Sequence, residues 1–266
     1  TYAGGIWFSA AVSDKRYNGG STKGMMGSEY NGRGRFLAHL IVLTALMFGP
    51  ARGAEDNETA SPDGTRRVIM FYGDSLTAGY GVDRDQAFPA LIQARFDSLG
   101  WPCEAVNAGL SGETSAGGLR RIDWVLRREV DVFVLELGSN DALRGIDLET
   151  TRNHLQGIID KVRAKYPEVA LVVVGMQMPP NMGVDYTEEF LNLFPELAEK
   201  NDAELVPFLL EGVVLVPDEE RLFRGNHPTA EGHKVVAENV WEVVGPLVAQ
   251  RYGLAAALPQ DAPETR

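Results

Sequence analysis

Cysteine, histidine and basic residues are scarce in this chain of 266 residues. The single cysteine, Cys103, excludes an intramolecular disulfide, and we expect it to be a buried, unreactive thiol. Lys and Arg number 25 against 37 Asp and Glu, and the net charge of −12 disfavours nucleic acid and other polyanionic partners. No Gly-x-Gly-x-x-Gly or Walker-type loop follows the apolar run Val68–Tyr72, which argues against a nucleotide-binding protein.

The N-terminal apolar run Phe36–Phe48 is shorter than the roughly 20 residues that a membrane span needs. Two arginines precede this run and small residues follow it. This pattern predicts a secretory signal peptide over residues 26–53, cleaved after Gly53 or Ala54. We therefore expect a periplasmic or secreted protein with no stable membrane span after cleavage; the alternative is an uncleaved N-terminal anchor.

The composition, 44% hydrophobic and 23% charged, is sufficient for one sizeable core. We interpret residues 1–25 as upstream sequence outside the fold and residues 54–65 as a flexible linker. A single domain is predicted over residues 66–252, followed by a flexible tail at 253–266.

Within residues 66–252, apolar runs typical of strands alternate with stretches whose apolar residues recur at helical spacing. Such alternation with near-continuous apolar strands indicates a parallel sheet covered on both faces. We predict an α/β, three-layer, flavodoxin-like fold with a central parallel sheet of about five strands. The predicted strands are Arg67–Tyr72, Cys103–Asn107, Val130–Leu137, Val169–Met176 and Ala203–Phe208, and the predicted helices are 87–99, 115–128, 148–165, 187–201 and 229–251.

Four short motifs follow predicted strands, at the edge of a parallel sheet where ligands bind. They are Gly73-Asp74-Ser75-Leu76, Asn107-Ala108-Gly109, Gly138-Ser139-Asn140-Asp141 and His227-Pro228. Scattered chance matches would not all share this placement.

Each motif has both a structural and a chemical interpretation. Ser75 either caps a helix or presents a nucleophilic hydroxyl at a helix N-terminus. Gly109 and Asn140 either form ordinary turns or donate hydrogen bonds to an oxyanion. His227 is held by Pro228 just before the last helix, and an ordinary histidine pKa near 6.5 suits a general base. His154 is interpreted as lying on a solvated helix face, and His233 as a surface or packing residue.

The four motifs, in this order between about Arg67 and Gln250, resemble the SGNH hydrolase (GDSL esterase/lipase) family. Within that family the chain is most similar to exported bacterial arylesterases and acyl thioesterase/lysophospholipases. The resemblance implies a serine esterase that hydrolyses short to medium acyl esters, aryl esters or acyl thioesters through an acyl-enzyme intermediate. It implies Ser75 as nucleophile and His227 as base, with an oxyanion hole formed by the backbone N–H groups of Ser75 and Gly109 and the side-chain amide of Asn140. No metal and no organic cofactor are implied, and the partner is a small-molecule ester or thioester.

One position departs from the family pattern, because Arg224 occupies the place where the family usually has an Asp, three residues before the histidine. Arginine offers only hydrogen-bond donors and a positive charge, so it cannot orient an imidazole. Three explanations remain open: an acid from Asp218, Glu219 or Glu220 reaches His227, a backbone carbonyl replaces the acid, or the protein is weakly active. The alternative function is a weakly active or non-catalytic module that binds acyl or acetylated-sugar ligands.

Apolar residues in and after the Pro179-Pro180 segment have two interpretations: they line an acyl-binding groove, or they pack beneath a loop. They are Met176, Met178, Met182, Val184, Tyr186 and Phe190. The sequence does not predict an oligomeric state.

Overall fold

The computed structural model describes residues 66–178, 182–214, 216–217 and 222–254. The predicted signal peptide, the linker at 54–65 and the tail beyond Leu254 lie outside these residues. Within the described ranges, no helix combines the length and the apolar composition needed to cross a bilayer.

A five-stranded parallel sheet forms the centre of the fold, in the order β2-β1-β3-β4-β5, which confirms the predicted architecture. Every residue of β3 and β4 is buried, so both faces of the sheet are covered there. Cys103 begins β2 and is fully buried, as predicted, and burial raises the pKa of its thiol to about 12. The strands are β1 (Arg67–Gly73), β2 (Cys103–Asn107), β3 (Val132–Glu136), β4 (Ala170–Val174) and β5 (Glu204–Val206).

Five long helices flank the sheet, and their limits lie within three residues of the predicted ones. The helix that begins at Phe88 packs against β2 and against the last helix, and Phe88 contacts Phe71 of β1 edge-on with ring centroids 5.6 Å apart. The long helices are α2 (Phe88–Ser98), α3 (Ser115–Val125), α5 (Leu148–Lys165), α6 (Val184–Lys200) and α7 (Ala230–Tyr252).

Four short elements were not predicted as separate structures, because each is too short to show a hydrophobic period. They are helix α1 (Ser75–Ala78), the 3-10 turn Arg84–Gln86, helix α4 (Ser139–Leu143), and the antiparallel pair β6 (Phe223–Arg224) and β7 (His227–Pro228). The two short helices and the antiparallel pair carry Ser75, Asn140 and His227, whereas Gly109 lies in the segment after β2.

The topology explains why these elements meet. The chain passes from β1 to β2 on one side and then returns to β3 on the other side of β1. Such a reversal opens a crevice at the carboxyl ends of the strands. Ser75, Gly109 and Asn140 follow β1, β2 and β3 respectively, so all three lie at the rim of this crevice.

Candidate active site

Ser75 is the first residue of α1, directly beyond the end of β1. The preceding Asp74 caps this helix, since its Oδ1 accepts the N–H of Leu76 at 2.9 Å. A Cβ on Gly73 would lie 2.1 Å from Thr77 Oγ1 and 2.4 Å from the carboxylate oxygen Oε2 of Glu136, so a side chain at position 73 is excluded. The close approach of β1 and β3 therefore requires the glycine and sets the position of Ser75.

His227 faces the serine from the other side of the crevice. It lies in β7, where it pairs with Arg224 of β6, and its Nε2 is 2.8 Å from Ser75 Oγ. Burial lowers the pKa of His227, so the imidazole is neutral at pH 7, and in the tautomer that carries its hydrogen on Nδ1 the Nε2 atom accepts the serine O–H. The ring of Tyr80 lies against the imidazole, with centroids 4.7 Å apart. The structure thus brings the predicted nucleophile and base into direct contact.

Gly109 lies beside α1 because the segment after β2 continues to pair with β1, where Leu110 N–H donates to the carbonyl of Gly73 at 2.9 Å. A Cβ on Gly109 would be 2.3 Å from the backbone nitrogen of Ala78, so this approach also needs glycine. The N–H of Gly109 donates to Asn107 Oδ1 at 3.0 Å. To serve an oxyanion, this N–H would share its hydrogen with the substrate oxygen or release Asn107.

Asn140 is the second residue of α4, which directly follows β3. Its Nδ2 donates to Asp74 Oδ2 at 2.8 Å. An amide nitrogen has two hydrogens, so one remains for a second acceptor while the first fixes the amide plane. The amide is therefore tethered to the residue next to the nucleophile.

Two acids beneath the nucleophile were missed by sequence reasoning as functional candidates. Asp74 and Glu136 are both 1% exposed, and Glu136 Oε2 accepts hydrogen bonds from Asp74 N–H at 3.1 Å and Thr77 Oγ1 at 2.7 Å. The signal was available, since Glu136 interrupts an otherwise apolar run, Val132–Leu137. A charged residue at that place needs a specific partner.

Asp141 lies in α4, but its side chain binds the start of a different helix. Its carboxylate accepts the N–H of Ser115 at 2.8 Å and the hydroxyl of Ser115 at 2.5 Å, at the start of α3. His154 Nδ1 lies 3.1 Å from the same hydroxyl, so this half-buried histidine joins a buried polar contact instead of a solvated helix face. Of the two interpretations of His233, surface or packing, the structure shows packing, because the residue is buried against Phe88.

A model of the GDSL-like Lipase/Acylhydrolase family matches residues 71–235, which include all four motifs. The chain belongs to this family. Among the GDSL-family relatives, esterase TesA of Pseudomonas aeruginosa is 38% identical over 183 residues, which cover 68% of this chain and 90% of that protein. Thioesterase 1/protease 1/lysophospholipase L1 of Escherichia coli K12 is 35% identical over 182 residues, with 68% of this chain and 85% of that protein covered.

A crystal structure of TesA shares the GDSL-family fold with this chain. It has a TM-score of 0.63 at 36% identity, over 68% of this chain and 99% of the TesA chain. The five-stranded parallel sheet with flanking helices is therefore the family's fold, as the resemblance implied.

The acid partner of His227 is not assigned. Asp218, Glu219 and Glu220 lie outside the described residues, and Arg224 is exposed on β6. Within the described part of the chain, the His227 ring forms its hydrogen bond with Ser75. No group of three or more His, Cys, Asp or Glu side chains in that part is arranged to hold a metal ion.

The apolar candidates divide between packing and surface. Met176 and Phe190 are buried and pack in the core, which contradicts a groove-lining role for them. Tyr186 is half-buried and donates its hydroxyl hydrogen to the Ile146 carbonyl at 3.0 Å, whereas Val184 is exposed. Other large apolar side chains are exposed close in sequence to the site residues: Tyr80, Leu110 and Leu143.

Proposed function

We propose that this protein is a serine carboxylic ester hydrolase that acts on acyl esters, aryl esters or acyl thioesters. The observation that carries the proposal is the 2.8 Å contact between Ser75 Oγ and His227 Nε2 at the crevice of the sheet. The family match and the relatives whose names are esterase and thioesterase/lysophospholipase support it.

The proposed reaction has two steps. Ser75 Oγ attacks the substrate carbonyl carbon while its proton passes to His227 Nε2. The resulting oxyanion accepts hydrogen bonds from the N–H groups of Ser75 and Gly109 and from the Asn140 amide. The bond to the alcohol or thiol then breaks, and His227 protonates the leaving group.

Water completes the reaction. His227 takes a proton from a water molecule, whose oxygen attacks the acyl-serine carbonyl. The second tetrahedral intermediate collapses to a carboxylic acid, and Ser75 recovers its proton from His227. The cycle consumes one water for each ester or thioester bond that is hydrolysed.

The substrate class follows from the surface near the site. Leu110 follows Gly109 directly, Leu143 lies one helical turn beyond Asn140, and Tyr80 covers one side of His227. Exposed apolar side chains in these positions suit an apolar acyl or aryl group. Short to medium acyl chains are therefore proposed as the substrates.

The proposed site of action is the periplasm or the medium. The support is the predicted signal peptide at residues 26–53, in which basic residues precede a short apolar run and small residues follow it.

Hydrolysis of p-nitrophenyl acetate, butyrate and octanoate by the wild type and by Ser75→Ala tests the activity. We expect Ser75→Ala to lower kcat by about 10⁴-fold or more, because the acyl-enzyme cannot form. The matched control is Ser98→Ala, which removes an exposed serine hydroxyl on α2 and should leave kcat unchanged. Wild-type turnover no higher than that of Ser75→Ala would contradict the proposal and favour a non-catalytic module that binds acyl or acetylated-sugar ligands.

A further inference from the structure

The buried carboxyl pair beneath the nucleophile has an uneven distribution of hydrogen bonds. Glu136 Oε2 accepts from the backbone of Asp74 and from the hydroxyl of Thr77. Glu136 Oε1 is equally buried and has no hydrogen-bond partner among the described residues. One oxygen of this side chain therefore receives two donors and the other receives none.

This pattern fits a neutral carboxylic acid better than a carboxylate. In a carboxylate both oxygens carry negative charge, and a buried charged oxygen without a donor is costly. In the neutral acid, Oε2 is the carbonyl oxygen that accepts two hydrogens, and Oε1 carries the proton; the O–H has no acceptor among the described residues, but an unpaired neutral O–H costs less than an unpaired charged oxygen. Burial, and secondarily the charge of Asp74, raise the pKa of Glu136 well above its ordinary value, in agreement with the geometry.

Asp74 has the opposite pattern. Its Oδ1 accepts from the N–H of Leu76 and its Oδ2 from the amide of Asn140, so both oxygens act as acceptors. A protonated Asp74 would replace one of these acceptors by a donor. Burial raises the pKa of Asp74 to about 6, and the charge of Asp141 on α4 raises it further; hydrogen bonding by Leu76 N–H, the Asn140 amide and the Glu136 side chain acts in the opposite direction. Asp74 is therefore mainly ionised at pH 7.

The two protonation states depend on each other. Adjacent buried carboxyl groups do not both ionise readily, since like charges at short range oppose each other. A proton on Glu136 removes this repulsion and leaves the negative charge on Asp74. Asp74 in turn holds the Asn140 amide, which the proposed function assigns to the oxyanion hole.

We propose that Glu136 is a positioning residue that is held as a neutral carboxylic acid, so that Asp74 stays ionised and fixes the Asn140 amide toward the substrate oxyanion. The proposal rests on the proposed esterase function for its kinetic consequence. Its structural part, the proton on Glu136, can be measured without any substrate.

Infrared spectroscopy of the full chain at pH 8 tests the protonation state. We expect a carboxylic-acid C=O stretching band in the wild type that is absent from Glu136→Gln. Asp74→Asn is the matched second variant; it removes the smaller cause of the raised Glu136 pKa, the Asp74 charge, and should keep the band because burial, the larger cause, remains. A wild-type spectrum without this band would overturn the proposal, whatever the outcome of the esterase assay.

Kinetics test the positioning role. Glu136→Gln retains an acceptor for Asp74 N–H and Thr77, and its kcat should stay within about threefold of the wild type. Asp74→Asn places an amide donor against Asn140 and should lower kcat by about 10²-fold with a smaller change in KM, comparable to the loss of one oxyanion donor. In the double variant that combines Asp74→Asn with Asn140→Ala, kcat should be little lower than in either single variant, because Asn140→Ala already removes the amide that Asp74 positions.

Two kinetic results would contradict the positioning role. Turnover that falls by about 10²-fold in folded Glu136→Gln would show that a carboxylate is required at position 136. Fully additive effects of Asp74→Asn and Asn140→Ala would show that Asp74 does not act through the amide. Circular dichroism and the urea midpoint of each variant separate these results from a failure to fold.

Discussion

Arg224 pairs directly with His227 across the two-residue strands β6 and β7, with their Cα atoms in register. Directly opposite residues in an antiparallel pair carry side chains on the same face, so the guanidinium and the imidazole share one side of the hairpin. The family pattern has an Asp at this position. A carboxylate there would hold the imidazole tautomer and stabilise the imidazolium, and an arginine does neither.

Replacing Arg224 by Asp should raise kcat by at least about tenfold, because loss of the orienting acid costs about 10⁴-fold in a serine–histidine–aspartate site. The measurement is the rate of p-nitrophenyl butyrate hydrolysis at saturating substrate. Arg224→Asn is the matched control, since it removes the positive charge without adding a carboxylate. Equal rates for the wild type and Arg224→Asp would mean that another group already orients His227, and Asp218→Asn, Glu219→Gln and Glu220→Gln would then identify it.

His233 is a buried histidine whose two ring nitrogens have no hydrogen-bond partner among the described residues. Burial, and secondarily the charge of His227, lower the pKa of His233 from 6.5 to about 4. As the pH falls, His233 becomes protonated near pH 6.5 in the unfolded chain but only near pH 4 in the folded chain. The contribution of His233 to stability is therefore complete above pH 6.5 and is lost as the pH falls from 6.5 to 4.

The variant His233→Leu should remove this acid sensitivity. When the pH is lowered from 7 to 4.5, the free energy of unfolding of the wild type should decrease by about 2.5 kcal/mol more than that of the variant. Urea denaturation at the two pH values measures the difference, and the comparison cancels the contribution of other acids such as Asp74. An equal fall in both proteins would show that His233 becomes protonated in the folded state near its ordinary pKa.

Among the elements, the segment after β2 and the helix α1 form a close backbone contact at the site. Gly109 lies against Thr77 and Ala78, and a Cβ there would be less than 3 Å from three backbone atoms. Backbone atoms cannot move aside as the end of a side chain can. The separation of these two elements, and with it the position of the Gly109 N–H, therefore depends on the absence of one methyl group.

Gly109→Ala should separate the two elements, with a loss of about 1–3 kcal/mol in stability and at least tenfold in kcat. Thermal denaturation and ester hydrolysis measure the two effects. The matched control is Gly157→Ala, inside helix α5. The added methyl group there meets the flexible side chain of Leu119. This control should keep kcat and gain up to about 1 kcal/mol in stability, because alanine favours a helix. Wild-type turnover in Gly109→Ala would show that the contact does not position the site.

Sequence periodicity predicts the long elements of this fold well and the short ones poorly. Helix α5 is long enough to show a helical period, and β3 stands out as an almost continuous apolar run. Helix α1 has four residues and α4 has five, so neither shows a period, although the motif residues within them are visible. The Asp74–Glu136 pair joins residues 62 positions apart, and local sequence does not report such a contact.

For the whole molecule, two features of the sequence bear on location and partners: the excess of acidic residues and the predicted signal peptide. The net charge of −12 keeps the protein away from polyanionic surfaces, and the basic residues before Phe36 belong to the predicted leader. Export would depend on the predicted signal peptide, whereas the proposed esterase activity would depend on the motif residues. The motifs lie between residues 71 and 235, after the predicted leader in the sequence.

Expression of the full chain in a Gram-negative host should place the ester hydrolase activity in the periplasm or medium. Deletion of residues 26–53, the predicted signal peptide, should leave the activity per mole of protein unchanged and move it to the cytoplasmic fraction. Osmotic-shock fractionation with a cytoplasmic marker enzyme measures the distribution. Identical fractionation of the two chains would contradict the predicted signal peptide, and activity recovered only with membranes would favour the uncleaved anchor.

Local patterns in the sequence are sufficient for the architecture and the reaction class. Strand and helix periods, and four motifs placed after strands, are properties of neighbouring residues. Which groups touch is a property of the assembled sheet. The tertiary structure places Ser75 against His227, assigns Asp141 to the start of α3 and brings Glu136 under the nucleophile. These contacts depend on the order of the strands and on backbone approaches at glycine, and both arise only when the sheet assembles.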